Sequence, residues 1–321
     1  MKVSSIGELP HGAHSGPRHT YGMGAVIETE ALTKSYDGAR GIEAVTMSVE
    51  AGEVFGFLGP NGAGKTTTIR TLLDLIHPTA GSARIFGLDS RRESVAIRAR
   101  LGNLPGDFGY GRQASGREAL TLLSRLRGLA GSGRADELAR RFRADLDRPL
   151  GQLSRGNRQK VGLILASFHA PELLILDEPT SGLDPLMQEE FLTFIGEERE
   201  RGCAVFISSH ELDEVQRICD RVGIVRAGRL IAVERVGDLL GKARRRLSVR
   251  LGDEGGVDDL RGLPGVSELE ASDGSVSFVV TGEFDRVLKA LAAHRVLDLE
   301  AAHPSLEEIF LDYYREEGGE Q

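Results

Sequence analysis

Eight consecutive residues, Gly59-Pro60-Asn61-Gly62-Ala63-Gly64-Lys65-Thr66, have the types and spacing needed to hold a polyphosphate. They fit G-x-x-x-x-G-K-[ST], the phosphate-binding P-loop. Glycines let the backbone curl so that successive N–H groups point inward as a nest. A helix starting here would add unpaired N–H donors and a positive dipole end. Lys65 would reach the β- and γ-phosphates, and the Thr66 hydroxyl would ligate Mg²⁺. A second constellation lies downstream, where Leu173-Leu174-Ile175-Leu176 runs into Asp177-Glu178. A carboxylate at the end of a buried strand beside a P-loop strand can hold the Mg²⁺ shell, which suits Asp177. Glu178 would then stand where a water attacks the γ-phosphorus, placed to act as general base. A lone acidic pair before Pro179 would be read as an N-cap; the P-loop upstream makes the catalytic reading the stronger one.

Both motifs need elements to hold them. Val54-Phe55-Gly56-Phe57-Leu58 is a short β-rich apolar run before the loop. Lys65–Ile76 is expected to be a helix, stopped by His77-Pro78. Strands are expected at Val26–Glu30, Ile42–Val49 and Ala83–Phe86, with a turn at Ser35-Tyr36-Asp37-Gly38 and another at Ala51-Gly52. Residues 91–170 change character and are expected to be mostly helical. Ser115-Gly116-Arg117-Glu118 is a capping box. Leu120, Leu123, Leu126 and Leu129 then recur near helical spacing, and Leu138, Phe142 and Leu146 continue the pattern. The fully apolar strand Leu173–Leu176 is of the kind buried on both faces of a parallel sheet. Asp184-Pro185 is an N-cap followed by Pro at the first helical position, opening a helix with Leu186, Phe191, Phe194 and Ile195. Ala204–Ser208 is a further buried strand and Glu211–Cys219 a helix. Gly223–Arg226 and Leu230–Val233 form a hairpin across Ala227-Gly228.

After residue 240 the pattern is strand 246–251, helix 257–263, strand 266–270, strand 275–281, helix 284–293 and strand 295–300, then helix 305–315. The first six elements have the ferredoxin-like β-α-β-β-α-β order. A turn at Ser272-Asp273-Gly274 joins the middle pair. The expected organisation is a disordered tail over 1–24, a nucleotide-binding domain over 25–240 with a helical subdomain at about 91–170, and an accessory domain over 241–321.

Composition bounds the function. The chain has 321 residues, 40% of them hydrophobic and 27% charged, as expected of a soluble globular protein of about two domains. No apolar run approaches the ~20 residues of a membrane helix. The first twenty residues have no apolar core, so no signal peptide is expected, and His11, His14 and His19 there are read as solvated. The chain is thus expected to be cytoplasmic, with any membrane role exercised through a partner. Cys203 and Cys219 lack metal or redox spacing and are expected to be buried thiols. Net charge is −8, which argues against general nucleic-acid affinity. It is unevenly spread: residues 88–160 hold 16 Lys and Arg against 8 Asp and Glu, and residues 251–321 hold 5 against 17. Such asymmetry suggests separate modules.

Three further features make the assignment specific. Ser154-Arg155-Gly156-Asn157 follows Leu153 and opens a helix about twenty residues before the acidic strand. Ser181-Gly182-Leu183-Asp184 follows the acidic pair. His210 ends the next strand, after Ser208-Ser209. With these, residues 25–235 resemble the ATP-binding cassette (ABC) family in motif order and spacing. Leu153–Asn157 is similar to its signature sequence, Ser181–Asp184 to its D-loop, and His210 to its switch histidine. The run SLEEIFLDYY from Ser305 to Tyr314 is similar to the ending of ATPase subunits of the ABC-2 type drug and antibiotic exporters.

The resemblance implies an α/β P-loop NTPase cassette, with a parallel-sheet core, an antiparallel β part and a helical subdomain. It implies ATP and Mg²⁺ as cofactors. ATP contact falls to Tyr36, stacked on adenine, and to Gly59, Pro60, Asn61, Gly62, Ala63, Gly64, Lys65, Thr66 and Thr67; Mg²⁺ falls to Thr66 and Asp177. Glu178 and His210 would be catalytic. Ser154, Arg155, Gly156 and Asn157 would serve the partner's nucleotide, with Asp184 in the D-loop. The partners implied are a second cassette, identical or paralogous, and a multi-span membrane permease, with no nucleic acid. The chain would sit at the inner face of the cell membrane and drive export. A soluble ABC ATPase acting on ribosomes or DNA is the alternative; its relatives carry two cassettes or long coiled coils, and neither is here. A P-loop kinase or GTPase would have no use for the signature. Two departures stand out. The signature has Arg155 where glycine is usual and Asn157 where glutamine is usual. After Leu101-Gly102-Asn103-Leu104-Pro105, where the family has glutamine or glutamate, stands Gly106 and then Asp107; Asp107 or a water is expected to take the missing side chain's place near Mg²⁺.

Overall fold

The structure is a computed structural model. It describes residues 24–36, 39–108, 111, 113–129, 133–242, 245–252, 256–272, 275–280 and 284–301. Residues 1–23 of the expected tail, Asp37-Gly38 and Asp273-Gly274 of the expected turns and the 305–315 helix lie outside the described residues.

The chain first makes β1 (Ala25–Tyr36), β2 (Ala39–Glu50) and β3 (Val54–Leu58), then α1 (Lys65–Leu72). β4 (Ala80–Ile85), β5 (Leu88–Asp89), α2 (Ser94–Arg100) and β6 (Leu101–Leu104) follow. The helical stretch holds α3 (Gly116–Leu126), α4 (Gly133–Arg141) and α5 (Arg155–Ser167). The βα alternation returns with β7 (Leu173–Asp177), α6 (Pro185–Glu200), β8 (Ala204–Ser209) and α7 (Leu212–Ile218). β9 (Arg221–Arg226), β10 (Arg229–Arg235) and α8 (Val236–Lys242) close this part. The last stretch is β11 (Arg245–Leu251), α9 (Gly256–Leu260), β12 (Val266–Ser272), β13 (Ser275–Val280), α10 (Asp285–Ala292) and β14 (Val296–Ala301).

Three sheets result. The central one runs β10-β9-β3-β8-β7-β6, parallel except where β10 turns back on β9. Its inner strands β3, β7 and β8 are buried at every residue, as both-face coverage requires. One face packs on a second, antiparallel sheet, β2-β1-β4-β5. Phe55, Phe57 and Phe206 meet there, with ring centroids 5.8 Å apart for Phe55–Phe206 and 5.4 Å for Phe57–Phe206. Ile27, Val45 and Ile85 of the second sheet belong to the same core. The other face packs on the helices, with Phe142 edge-on to Phe194 at 5.5 Å. The third sheet, β12-β13-β11-β14, is wholly antiparallel and encloses its own core of Leu247, Val249, Phe278 and Val287. Element order and strand order there are those of a ferredoxin-like unit. Among the described residues no helix is long and apolar enough to cross a membrane.

The expectations for 91–170 need correction. β6 lies inside that stretch and pairs with β7 from Leu101↔Leu173 to Leu104↔Leu176; four residues are too few to show a period. α3 forms with its capping box intact, Ser115 accepting from Glu118 N and Glu118 from Ser115 N. Of the leucine series, however, Leu120 is buried while Leu126 and Leu129 are exposed. Leu138, Phe142 and Leu146 are all buried, although α4 ends at Arg141. α1 stops at Leu72 rather than Ile76, because Asp74 takes a left-handed φ of 54° and Leu75 N and Ile76 N turn back to Arg70 O. β1 runs on to Tyr36, placing that residue on a strand rather than in a turn.

Candidate functional site

Each strand that ends at the same edge of the central sheet delivers one part of the site. β3 delivers the P-loop, whose path is bent by Gly62 at φ 80° and Gly64 at φ 109°. At Gly59 even a Cβ would stand 2.4 Å from Val225 O, so the loop is held against β9. Lys65 opens α1 with its side chain 5% exposed. Its ammonium donates to Gly59 O at 2.6 Å and Pro60 O at 3.2 Å, and lies 3.4 Å from Glu178 Oε1. Asn61 and Gly62 are exposed at the tip. Ala63 is buried and its carbonyl accepts from Gly228 N at 2.9 Å, while Thr67 O accepts from Thr71 Oγ1 at 2.8 Å.

β7 ends on Asp177, 3% exposed. One carboxylate oxygen accepts from Thr66 Oγ1 at 2.8 Å; the other accepts from Ser208 Oγ on β8. The next residue, Glu178, has φ 48°. Its N–H donates to Ser208 O at 3.1 Å and Ser208 Oγ at 3.2 Å. Its carbonyl accepts from Gln159 Nε2 at 3.1 Å. β8 delivers His210, whose Nδ1 lies 3.4 Å from Glu178 Oε1. One carboxylate thus faces a lysine and a histidine, an arrangement able to hold a water against a phosphorus.

Thr66, Asn103, Pro105, Gly106, Asp107, Asp177 and Glu178 line one cleft, of about 250 Å³. A Cβ at Gly106 would stand 3.2 Å from Asp177 Oδ2, so the backbone passes close to the carboxylate. Asp107 is exposed on the cleft wall. A hydroxyl and a carboxylate in contact at an open cleft are hard oxygen donors of the kind Mg²⁺ takes alongside water and phosphate. Thr66 and Asp177 therefore fit that ion.

The other expected residues lie on neighbouring loops. Tyr36 ends β1, is 40% exposed and carries Lys34 Nζ 5.3 Å from its ring centroid. Ser154 is the N-cap of α5, accepting from Asn157 N at 3.3 Å; Ser154 and Arg155 are exposed. Gly156 sits against the Ser181–Asp184 loop, where its Cβ would meet Gly182 O at 2.3 Å. Asp184 caps α6, accepting from Met187 N at 3.0 Å, with Pro185 in the first turn. Cys203 and Cys219 are buried, and burial pushes the Cys203 thiol up to about 12.

Sequence reasoning missed Ser208 as a ligand-holding residue, and Gln159, Thr180 and Glu214 altogether. Thr180 Oγ1 donates to Glu214 of α7 at 2.8 Å, tying the loop after Glu178 to the helix after His210. Ser208 stands two residues before His210, but nothing local in the sequence marks its bond to Asp177.

The model of the ABC transporter family matches residues 42–181. A bacitracin transport ATP-binding protein, BcrA of Bacillus licheniformis, is 37% identical over 235 residues, covering 72% of this chain and 77% of that protein. A daunorubicin resistance ATP-binding protein, DrrA3 of Streptomyces coeruleorubidus, is 34% identical over 299 residues, covering 89% of this chain and 94% of that protein. Among solved structures, an ATP-binding subunit of an ABC transporter aligns with a TM-score of 0.63 at 30% identity, over 67% of this chain and 91% of that one. A bacterial ABC transporter cassette in a dimeric structure aligns with a TM-score of 0.60 over 65% of this chain and 98% of that one. At 22% identity that second likeness concerns the fold.

Proposed function

The chain belongs to the ABC transporter family, and on that premise we propose that it is the ATP-hydrolysing subunit of an exporter. It pairs head to tail with a second cassette and docks on a separate multi-span permease at the inner face of the cell membrane. The observation that carries this reading is the meeting of Lys65, Glu178 and His210 within 3.4 Å contacts beside the Thr66–Asp177 pair. The direction of transport rests on the relatives, one named for bacitracin transport and the other for daunorubicin resistance.

The mechanism follows from the residues. Tyr36 offers an exposed ring to the adenine. The P-loop N–H groups and the α1 N-terminus take the phosphates, and Lys65 exchanges its contacts with the loop carbonyls for the β- and γ-phosphates. Thr66 and Asp177 would hold Mg²⁺, with Asp107 on the same cleft wall as a further oxygen donor; the bound ion would supply neutralisation of phosphate charge. Glu178 takes a proton from a water as that water's oxygen bonds to the γ-phosphorus, and the bond to the bridging oxygen of ADP breaks. His210 steadies the γ-phosphate. Exposed Ser154 and the Gly156 N–H, at the start of α5, close on the γ-phosphate held by the partner. Closure is then favoured by ATP and reversed by hydrolysis, a difference in the affinity of two dimer states for nucleotide. The cassette occupies 25–240, with α3, α4 and α5 as its helical part, and the third sheet belongs to an accessory domain after residue 240.

Affinity purification of the tagged chain from detergent-solubilised membranes tests the reading. A stoichiometric multi-span protein among the co-purifying chains is the expected result. Ribosomal proteins or nucleic acid, with nothing integral to the membrane, would replace it with a soluble ABC ATPase.

A further inference from the structure

Glu178 stands on a backbone conformation that side-chain-bearing residues seldom adopt, φ 48°. Bonds on both sides hold it there. Its N–H is taken by Ser208 at 3.1 Å and 3.2 Å. Its carbonyl is taken by the Gln159 amide at 3.1 Å. Gln159 is 4% exposed and lies on α5. It is one helical turn from Arg155 and Gly156, and therefore on their face of the helix. The same helix end is joined to the loop after Glu178 a second time. A Cβ on Gly156 would stand 2.3 Å from Gly182 O, and one on Gly182 would stand 3.3 Å from Arg155 Cγ. Helix start and loop are in contact with no room for a side chain between them.

These contacts are all within one chain, yet the two ends serve different nucleotides. Resting on the head-to-tail pairing proposed above, Ser154–Asn157 engage the partner's ATP while Glu178 acts on the chain's own. We infer that Gln159 is a positioning residue: it fixes Glu178 for water activation and carries the docking of its own signature on the partner's nucleotide to its own hydrolytic base. The two ATP sites of the dimer are thereby coupled inside each subunit. A movement of α5 on closure moves the Gln159 amide, and with it the carbonyl of Glu178. A displacement of about 1 Å at such a base costs on the order of a hundredfold in rate.

Gln159→Met keeps the length and volume of the side chain and removes the donor. The expected result is a kcat lowered roughly ten- to a hundredfold with the KM for ATP within about twofold. Gln159→Asn, whose amide falls one methylene short, should behave alike and covers the case where the methionine variant folds poorly. Dimers of two differently tagged chains decide how the residue acts. In the first, one chain carries Gln159→Met and Glu178→Gln together and the other is wild type. In the second, the two substitutions are on opposite chains. The inference predicts that the first keeps the turnover of the wild-type chain's site and that the second loses it. The reverse pattern would show that Gln159 serves only the signature, and equal rates in both would show a merely structural role; either overturns the inference. A wild-type chain paired with a Glu178→Gln chain is the control. If that control fails to pair with ATP and Mg²⁺, the head-to-tail reading fails rather than the role of Gln159. If it pairs without turning over, the split between kcat and KM in the Gln159→Met homodimer decides, and an unchanged kcat refutes the inference.

Discussion

Replacing Glu198 with alanine tests how the helical part of the cassette is held to the sheet. Glu198 lies on α6 and is 3% exposed. Its carboxylate accepts from Arg134 of α4 and from Arg201, just past the end of α6. Arg134 also donates to Ser167 O at 3.1 Å, at the end of α5, and Arg201 to Pro171 O at 3.1 Å. One buried carboxylate thus joins α4, the end of α5 and α6. Removing one partner of a buried ion pair costs about 3–5 kcal/mol. Here the two guanidinium side chains are 32% and 35% exposed and keep carbonyl partners, so water recovers part of the loss and about 2–3 kcal/mol is expected. In a domain of this size that is a fall in Tm of roughly 4–12 °C. Thermal melts followed by circular dichroism, with urea unfolding at pH 7 beside them, measure it. The triple change Arg134→Met, Glu198→Leu, Arg201→Met should lose less than Glu198→Ala alone, because it leaves no charge without its partner. A Glu198→Ala protein melting within about 1 °C of wild type would refute the argument that this carboxylate holds the helices in place.

His169 sits beside Arg127, Arg134 and Arg201, and its burial above all pushes its pKa down to about 4. The fold therefore holds it neutral, so stability is full above pH 6.5 and falls as pH drops from 6.5 toward 4. At pH 5.5 the loss is about 1 kcal/mol after allowing for partial exposure, measured as a urea midpoint that a His169→Leu protein does not shift. Burial raises the Glu214 carboxyl, whose Oε1 has no hydrogen-bond partner among the described residues. Its charge is a burden on the fold above the ordinary carboxylate range, so Glu214→Gln should raise Tm at pH 7 and by less at pH 4.5. Asp107→Ala should raise the Mg²⁺ concentration at which ATPase activity is half-maximal; unchanged Mg²⁺ dependence and transport would remove Asp107 from the ion's shell.

Much of this architecture is legible in the sequence because its signals are local. The P-loop, the apolar strand into Asp177-Glu178 and the Asp184-Pro185 cap each occupy a few consecutive residues. The β-α-β-β-α-β run shows through alternating periods, and its four strands pair in the matching order. The Ala227-Gly228 turn is legible too, with φ 48° and 84°, as a tight hairpin asks. What escaped is non-local or too short. β6 is four residues long and is made a strand by its neighbour β7. The early end of α1 depends on one left-handed aspartate. Leu126 and Leu129 share the spacing of buried leucines but are exposed. The bonds from Ser208 to Asp177 and from Gln159 to Glu178 cross 31 and 19 residues of chain. They join a side chain on one element to the end of another, a pairing that no periodicity in either segment records.

If two cassettes close on ATP and Glu178 is the base that reopens them, Glu178→Gln traps the closed pair. This change keeps the shape of the side chain and removes its ability to take a proton. Light scattering after size-exclusion, with and without ATP and Mg²⁺, measures the mass. The expected result is a stable dimer that appears only with ATP and Mg²⁺, alongside a loss of hydrolysis. A protein that stays monomeric under those conditions while the wild type hydrolyses ATP would contradict it.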